Sequence, residues 1–119
     1  MRYESPVTGG TRYATSEVTL PDGEVIPAGS SVVVSWAAAN LDPAAFPDPL
    51  RCDLERSPNP HIAFASGFHR CLGSHLARLE MRSALDEWHR RIPDYEIEPG
   101  HELTYPMGVR TPDFLPLVW

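Results

Sequence analysis

The sequence predicts an α+β fold, and three observations support this prediction. Residues 72–92 have the apolar spacing of one long helix. Short β-branched runs bounded by turn residues, such as residues 31–36, indicate strands. The chain has 13 prolines in 119 residues, about twice the average usage. Since proline disrupts helix interiors and central strands, this composition excludes an all-helical bundle and favours short elements joined by stiff loops.

Length, charge and cysteine content restrict the class of protein. A chain of 119 residues predicts one domain. Its net charge of −6 argues against a non-specific nucleic-acid binder, which needs a basic surface. No apolar run approaches the ~20 residues that span a bilayer, and the first residues do not resemble a signal peptide. Two cysteines, Cys52 and Cys71, are too few for a disulfide scaffold and indicate a reducing compartment. We therefore expect a cytoplasmic protein without a membrane segment.

The first third of the chain predicts short strands. Residues 1–15 have no clear period and are expected to be loop or short extended chain. Residues 17–26 predict a hairpin, because Asp22-Gly23 lies between apolar β-formers. The β-branched run at 31–36 predicts a strand buried on at least one face. The alanines that follow predict a helical turn that ends by Asp42.

The remainder predicts a loop, a helix and short strands. Five prolines between residues 43 and 60 predict a loop, and Phe46, Leu50 and Leu54 indicate that it is ordered. The helix at 72–92 has an apolar stripe and ends before Pro93; the stripe consists of Leu72, Leu76, Leu79, Leu85, Trp88 and Ile92. Strand candidates follow at 95–97, 103–105 and 115–119.

Residues 64–73, which we call the Cys loop, are the most informative stretch. Cys71 follows a glycine-containing turn and immediately precedes the predicted helix. The unpaired N–H groups and partial positive charge of a helix N-terminus favour a thiolate over a thiol. Gly67 permits a turn that other residues avoid, and Gly73 leaves room close to the backbone. The loop is therefore predicted to present a thiolate to a large electrophilic partner.

Three other interpretations of Cys71 remain open from the residues alone. An isolated cysteine beneath a helix cap is more often buried and inert. A zinc site could use Cys71 with His75 one turn on, together with His61, His69 or Cys52, although no C-x-x-C pair is present. Cys71 could also be a nucleophile with a histidine base, but His69 is too close in sequence for the usual spatially assembled pair.

The Cys loop resembles the haem-binding signature of the cytochrome P450 family, F-x-x-G-x-H-x-C-x-G. Its matching residues are Phe64, Gly67, His69, Cys71 and Gly73, and Leu76-Ala77-Arg78 continues the match. Ala65 departs from the pattern, since bacterial members often have glycine there. The similarity extends to D-P-x-x-F-x-x-P at residues 42–49 and to Arg2, which aligns with the arginine of the family's E-x-x-R pattern. The glutamate of that pattern would lie before the first residue of this sequence.

The resemblance implies haem b (iron protoporphyrin IX) as cofactor, with the Cys71 thiolate as proximal ligand of the iron and catalytic residue. It implies that Phe64 shields the sulfur and that Gly67 and Gly73 allow backbone to approach the porphyrin. His69 aligns with a residue that binds a haem propionate. Arg12 aligns with a second propionate partner, and a solvated arginine at a strand end is the alternative for it.

The resemblance also implies how the chain divides into structural parts. Residues 1–119 would be the C-terminal haem-ligand portion of a single P450 domain; its parts would be a β-sheet segment at 1–42, a Pro-rich meander at 43–63, the Cys loop at 64–73, a helix at 72–92 and a β-hairpin at 93–119. Residues 6–11 and 107–109 align with segments that line the substrate pocket.

A monooxygenase of the soluble bacterial type is implied, which inserts one atom of O2 into a small apolar organic substrate. Its electrons would come from a ferredoxin/reductase-type donor, with no nucleic-acid or membrane partner. The alternative is a catalytically inactive truncated remnant, or a haem-binding fragment that lacks the distal oxygen-activating helix.

Overall fold

The computed structural model describes residues 1–106 and 108–119 of the chain. Met107, the first residue of one segment that the resemblance assigns to the substrate pocket, lies outside these residues. The chain divides into two units, Met1–Ala63 and Phe64–Trp119. Short strand pairs and one long helix make up the regular structure of the described part, so the predicted α+β class is confirmed.

The first unit contains two antiparallel strand pairs. Strand β1 (Gly9–Tyr13) pairs with β4 (Ser31–Ser35), and between them β2 (Val18–Thr19) pairs with β3 (Val25–Ile26). The β2–β3 pair is the predicted hairpin, and Gly23 in its turn adopts a φ of 91° that glycine accepts freely. Helix α1 (Trp36–Asn40) follows β4 directly, and the Ser35 hydroxyl accepts the Ala38 N–H at 3.2 Å as its N-cap.

The structure narrows one prediction for this unit and contradicts another. Residues 1–15 were predicted to be loop or short extended chain, and residues 9–13 are extended and form a strand. Gly9 permits the close pairing, because a Cβ there would lie 2.6 Å from the Val34 carbonyl oxygen. The prediction that residues 31–36 are buried on one face is wrong, since Val33 and Val34 are exposed and Val32 is only half-buried.

The interior of the first unit is small and largely polar. Phe46 and Ala63 are its buried apolar residues, and Arg2, Ser5 and Asn40 are buried polar ones. The Asn40 amide nitrogen donates to the Ser5 hydroxyl at 2.9 Å, while its oxygen accepts the Ile62 N–H at 2.8 Å. The buried hydrogen bonds therefore join the first residues of the chain, the end of α1 and the end of the proline-rich loop.

The proline-rich loop is held by hydrogen bonds. Of the three apolar residues from which its order was predicted, Phe46 is buried, whereas Leu50 and Leu54 are exposed. The Asp42 carboxylate accepts the Ala44 N–H at 2.8 Å, which caps the first turn of the loop. Further along, the Arg56 guanidinium donates to the carbonyls of Pro47 at 2.9 Å and Asp48 at 3.2 Å. The side chains of Asp42 and Arg56 therefore bind backbone N–H and carbonyl groups of this loop, which has no regular backbone pairing.

The second unit contains helix α2 (Ser74–Arg91) and a strand pair, β5 (Glu96–Ile97) with β6 (Leu117–Val118). Helix α2 starts two residues later and ends one residue earlier than predicted. The strand predicted at 103–105 is wrong, since these residues form no strand. Trp88 packs edge-on against Tyr95 and Trp119, with ring centroids 5.7 and 6.4 Å apart. Among the described residues, no helix has the length and apolar character needed to cross a membrane.

Candidate functional site

A backbone hydrogen bond joins Cys71 to the first residue of the Cys loop. The Cys71 N–H donates to the carbonyl of Phe64 at 2.8 Å. Within the loop, Gly67–His69 form a single 3-10 turn, and the Arg70 N–H donates to the Gly67 carbonyl at 3.2 Å. The backbone therefore fixes the position of Cys71 relative to Phe64 and the turn between them.

Two residues of the loop adopt left-handed backbone conformations. Gly67 has a φ of 58°, and a Cβ there would meet nothing within 4 Å, so the requirement for glycine is conformational rather than steric. Ala65 has a φ of 56° and carries a methyl group in this disfavoured region. The departure of Ala65 from the family pattern therefore places strain in the loop, which the sequence did not reveal.

Cys71 is exposed and lies just before α2. Its carbonyl accepts the Ser74 N–H at 3.2 Å, while Gly73 occupies the N-cap position without a side chain to cap the helix. The first turn of α2 therefore lacks a side-chain acceptor for its N–H groups. The interpretation of Cys71 as a buried, inert residue is wrong, because its side chain faces solvent in this chain.

The residues on either side of Cys71 are exposed, and they include both apolar side chains and the basic His69 and Arg70. Phe68 and Leu72 are both fully exposed. A Cβ at Gly73 would lie 4.0 Å from the Cys71 sulfur, so any side chain there would occupy space beside the thiol. Large exposed apolar side chains on both sides of Cys71 in the chain are typical of a surface that a ligand or partner covers.

The histidines do not form the alternative sites. His69 is exposed at the end of the 3-10 turn, and within the described residues no hydrogen bond joins its ring to Cys71. Residues 1–106 and 108–119 hold no cluster of three His, Cys, Asp or Glu side chains that could bind a metal ion. A structural zinc site and a paired Cys–His nucleophile are therefore not supported by the geometry.

Arg12 lies in the first unit, on strand β1. Its guanidinium Nη1 donates to the neighbouring Thr11 carbonyl at 2.9 Å, and the residue is half-buried. The other predicted site residues all lie in the second unit, within the Cys loop; they are Phe64, Gly67, His69, Cys71 and Gly73.

Two arrangements, one in each unit, were not predicted from the sequence. The Arg78 guanidinium on α2 lies over the Phe64 ring, 4.8 Å from its centroid. Asn40 is fully buried at the centre of the first unit's hydrogen bonds. The sequence does not indicate the contact between residues 64 and 78, because their spacing matches no regular element. It does not indicate the burial of Asn40 either, because an asparagine shortly before Asp42-Pro43 resembles an ordinary helix end.

Comparison with known proteins gives a consistent result. The Cytochrome P450 family model matches residues 1–99. The chain is 43% identical over 123 residues to the cytochrome P450 monooxygenase PikC of Streptomyces venezuelae, covering 100% of this chain and 29% of that protein. It is 44% identical over 115 residues to the mycinamicin IV hydroxylase/epoxidase of Micromonospora griseorubida, covering 94% of this chain and 29% of the relative.

A solved structure agrees in fold. P450BioI, in complex with an acyl carrier protein carrying hexadec-9Z-enoic acid, superposes with a TM-score of 0.92 at 38% identity. The match covers 99% of this chain and 31% of that one. The chain thus spans less than a third of the length of the relatives that it matches.

Proposed function

We propose, because the chain belongs to the cytochrome P450 family, that it supplies the haem-ligand portion of a haem-thiolate monooxygenase. Such an enzyme inserts one atom of O2 into an organic substrate. The observation that carries the proposal is the exposed Cys71 at the end of a loop closed onto Phe64, directly before α2. We also propose that residues 1–119 are one C-terminal part of a single P450 domain.

Haem b is the cofactor of this family, and in our proposal the Cys71 thiolate holds its iron. A thiolate ligand pushes electron density that favours O–O cleavage, which is the chemistry the bound group supplies. The exposure of Cys71 and of the apolar side chains of Phe68 and Leu72 is consistent with a porphyrin on this face.

In this proposal the other residues of the Cys loop bind and orient the haem. Phe64 shields the sulfur, while the lack of side chains at Gly67 and Gly73 lets backbone approach the macrocycle. The first turn of α2 has no side-chain cap, which leaves backbone N–H groups that, in our proposal, would donate to the sulfur and tune its electron density.

The propionates of the cofactor would be held by His69 and Arg12. A guanidinium suits this role because its fork of N–H donors matches a carboxylate. In the structure one N–H group of the Arg12 guanidinium donates to the Thr11 carbonyl, and its other N–H groups remain to bind an anion. Arg12 is not joined to a carboxylate among the described residues, which leaves its charge available.

The substrate and partners are proposed from the family and from the relatives. One relative is named for hydroxylating and epoxidising mycinamicin IV, and one neighbour was solved with a fatty-acyl carrier protein. We propose a small, apolar organic substrate, O2 and a ferredoxin/reductase-type electron donor. A net charge of −6 agrees with the absence of a nucleic-acid partner. Two free cysteines agree with a cytoplasmic location.

The test is the absorption spectrum of the haem-loaded protein. Reduced protein with CO should give the red-shifted Soret band of a thiolate-ligated haem. Cys71→Ser should abolish that band, whereas Cys52→Ser, which replaces the other exposed free cysteine, should leave it unchanged. An unchanged band in Cys71→Ser, or equal loss in both variants, would overturn the assignment of Cys71. Haem binding without substrate turnover would favour the alternative, a haem-binding fragment without monooxygenase activity.

A further inference from the structure

We propose that Arg78 is a positioning residue that holds the Phe64 ring and keeps a positive charge beside the haem-thiolate site. The inference rests on the proposed function, since it concerns a haem bound through Cys71. Arg78 already belongs to the continuation of the sequence match at residues 76–78, and the inference gives it a role toward Phe64.

The contact between Arg78 and Phe64 is the first observation. The guanidinium carbon lies 4.8 Å from the centroid of the ring, within the range of a cation–π interaction. The two residues are 14 positions apart in sequence, so α2 reaches back to the first residue of the loop. Arg78 therefore restrains the ring from a different element than the one that carries it.

The second observation concerns charge. Near the end of α2, Arg90 and Arg91 both pair with Glu87. Arg78 is exposed and, within the described part of the chain, has no carboxylate within ion-pair distance. Its charge is therefore not neutralised by a partner and is held against an aromatic ring instead.

The third observation connects this contact to the sulfur-bearing residue. The Phe64 carbonyl accepts the Cys71 N–H at 2.8 Å, so a hydrogen bond links the backbones of Phe64 and Cys71. A group that fixes the Phe64 ring therefore also restrains the closed loop that presents Cys71. Arg78 is one contributor to this restraint, because Phe64 has a further contact as well.

These observations predict an effect on the reduction potential. One-electron reduction of a ferric haem bound through Cys71, by an added chemical reductant, increases the negative charge of the site by one unit. A fixed cation nearby favours the reduced form by Coulomb attraction. Because Arg78 is exposed, salt should screen this contribution.

The experiment is an equilibrium redox titration of the haem-loaded protein at low and at high salt, without a redox protein. Arg78→Gln should shift the midpoint potential to more negative values at low salt, and the shift should shrink at high salt. Arg78→Lys should restore most of the wild-type potential, because it keeps the charge. Arg82→Gln removes an exposed arginine one turn further along the same helix and should leave the potential unchanged.

A double-mutant cycle tests whether the effect passes through the ring. In a Phe64→Leu background, Arg78→Gln should shift the potential less than it does in the wild type, because the aromatic partner is absent. Arg78→Met, which keeps the apolar stem, repeats the test if the glutamine variant does not fold.

Several results would overturn the proposal. One is an unchanged midpoint potential in both Arg78→Gln and Arg78→Met. Another is a shift in Arg78→Gln that equals the shift in Arg82→Gln. The third is an Arg78→Lys variant whose midpoint potential does not return toward the wild-type value. The outcomes also separate this inference from the proposed function. If the wild-type protein lacks the red-shifted Soret band of its reduced CO complex, both fail; if the band is present and Arg78 has no effect, only this inference fails.

Discussion

The guanidinium of Arg2 donates to the backbone carbonyl of Asn40 at 2.8 Å, and both residues are buried. A second guanidinium nitrogen donates to the carbonyl of Arg51 at 3.2 Å, and the group lies over the Phe46 ring. A buried cation normally has a carboxylate partner. Within the described residues Arg2 has carbonyl oxygens and an aromatic ring instead, so the carbonyl of Asn40 is part of what stabilises its charge.

Asn40→Ala is predicted to destabilise the protein by about 3 kcal/mol. The substitution leaves the Ile62 N–H without its acceptor, which costs about 1–3 kcal/mol. It also removes the bond from the Asn40 amide to the Ser5 hydroxyl, worth about 0.5–1.5 kcal/mol, while that hydroxyl keeps its bond to the Arg2 carbonyl. The bond from Arg2 is retained, because it goes to the backbone. Urea unfolding of the purified protein measures the change. Asn59→Ala, at an exposed asparagine, is the control; equal losses in the two variants would contradict the prediction.

The sequence predicted those elements whose signals are local. The hairpin around Asp22-Gly23 and helix α2 depend on turn chemistry and apolar spacing that neighbouring residues carry. Strand β1 was not distinguished from loop, because its partner β4 lies about twenty residues later and only this tertiary pairing identifies it as a strand. Burial was predicted poorly for the same reason, since the exposure of Val33 depends on what packs against the sheet.

Ala65→Gly is predicted to stabilise the protein by about 0.5–1 kcal/mol. A non-glycine residue in the left-handed region costs roughly 1–2 kcal/mol, and the larger unfolded-state entropy of glycine offsets part of the gain. Thermal unfolding should show the increase. Ala63→Gly, at a buried alanine that is not left-handed, should instead destabilise. A loss of stability in both variants would show that the conformation of residue 65 is not strained.

Haem is predicted to protect one cysteine and not the other from alkylation. Cys71 and Cys52 are both free and exposed, so iodoacetamide should modify both in the absence of haem. With haem bound, Cys71 should be protected while Cys52 stays reactive, because only Cys71 is proposed as an iron ligand. Peptide mass spectrometry measures the modified fraction at each position. Equal protection of both cysteines, or of neither, would argue against the ligand assignment.

The sequence predicted the part of the candidate site that lies within the Cys loop. A fixed spacing of Phe64, two glycines, His69 and Cys71 is readable from residues alone. The contact of Arg78 with Phe64 could not be predicted from the residues alone, because it depends on where α2 begins and on how the Cys loop turns back onto that helix. The strain at Ala65 was hidden for a similar reason, since composition does not report φ.

Glu87 is predicted to contribute stability that depends on pH. Hydrogen bonds from Arg90 and then Arg91 lower the pKa of this carboxyl below its ordinary 4.5. A lowered pKa in the folded state means that the contribution is fully present above pH 4.5 and is lost as the pH falls below it. Glu87→Gln should therefore lower the melting temperature at pH 7, with a difference that shrinks in acid and in high salt, because the pair is exposed. Glu80→Gln, at an exposed position of the same helix, should show no such pH-dependent difference; identical pH profiles for the two variants would contradict the assignment.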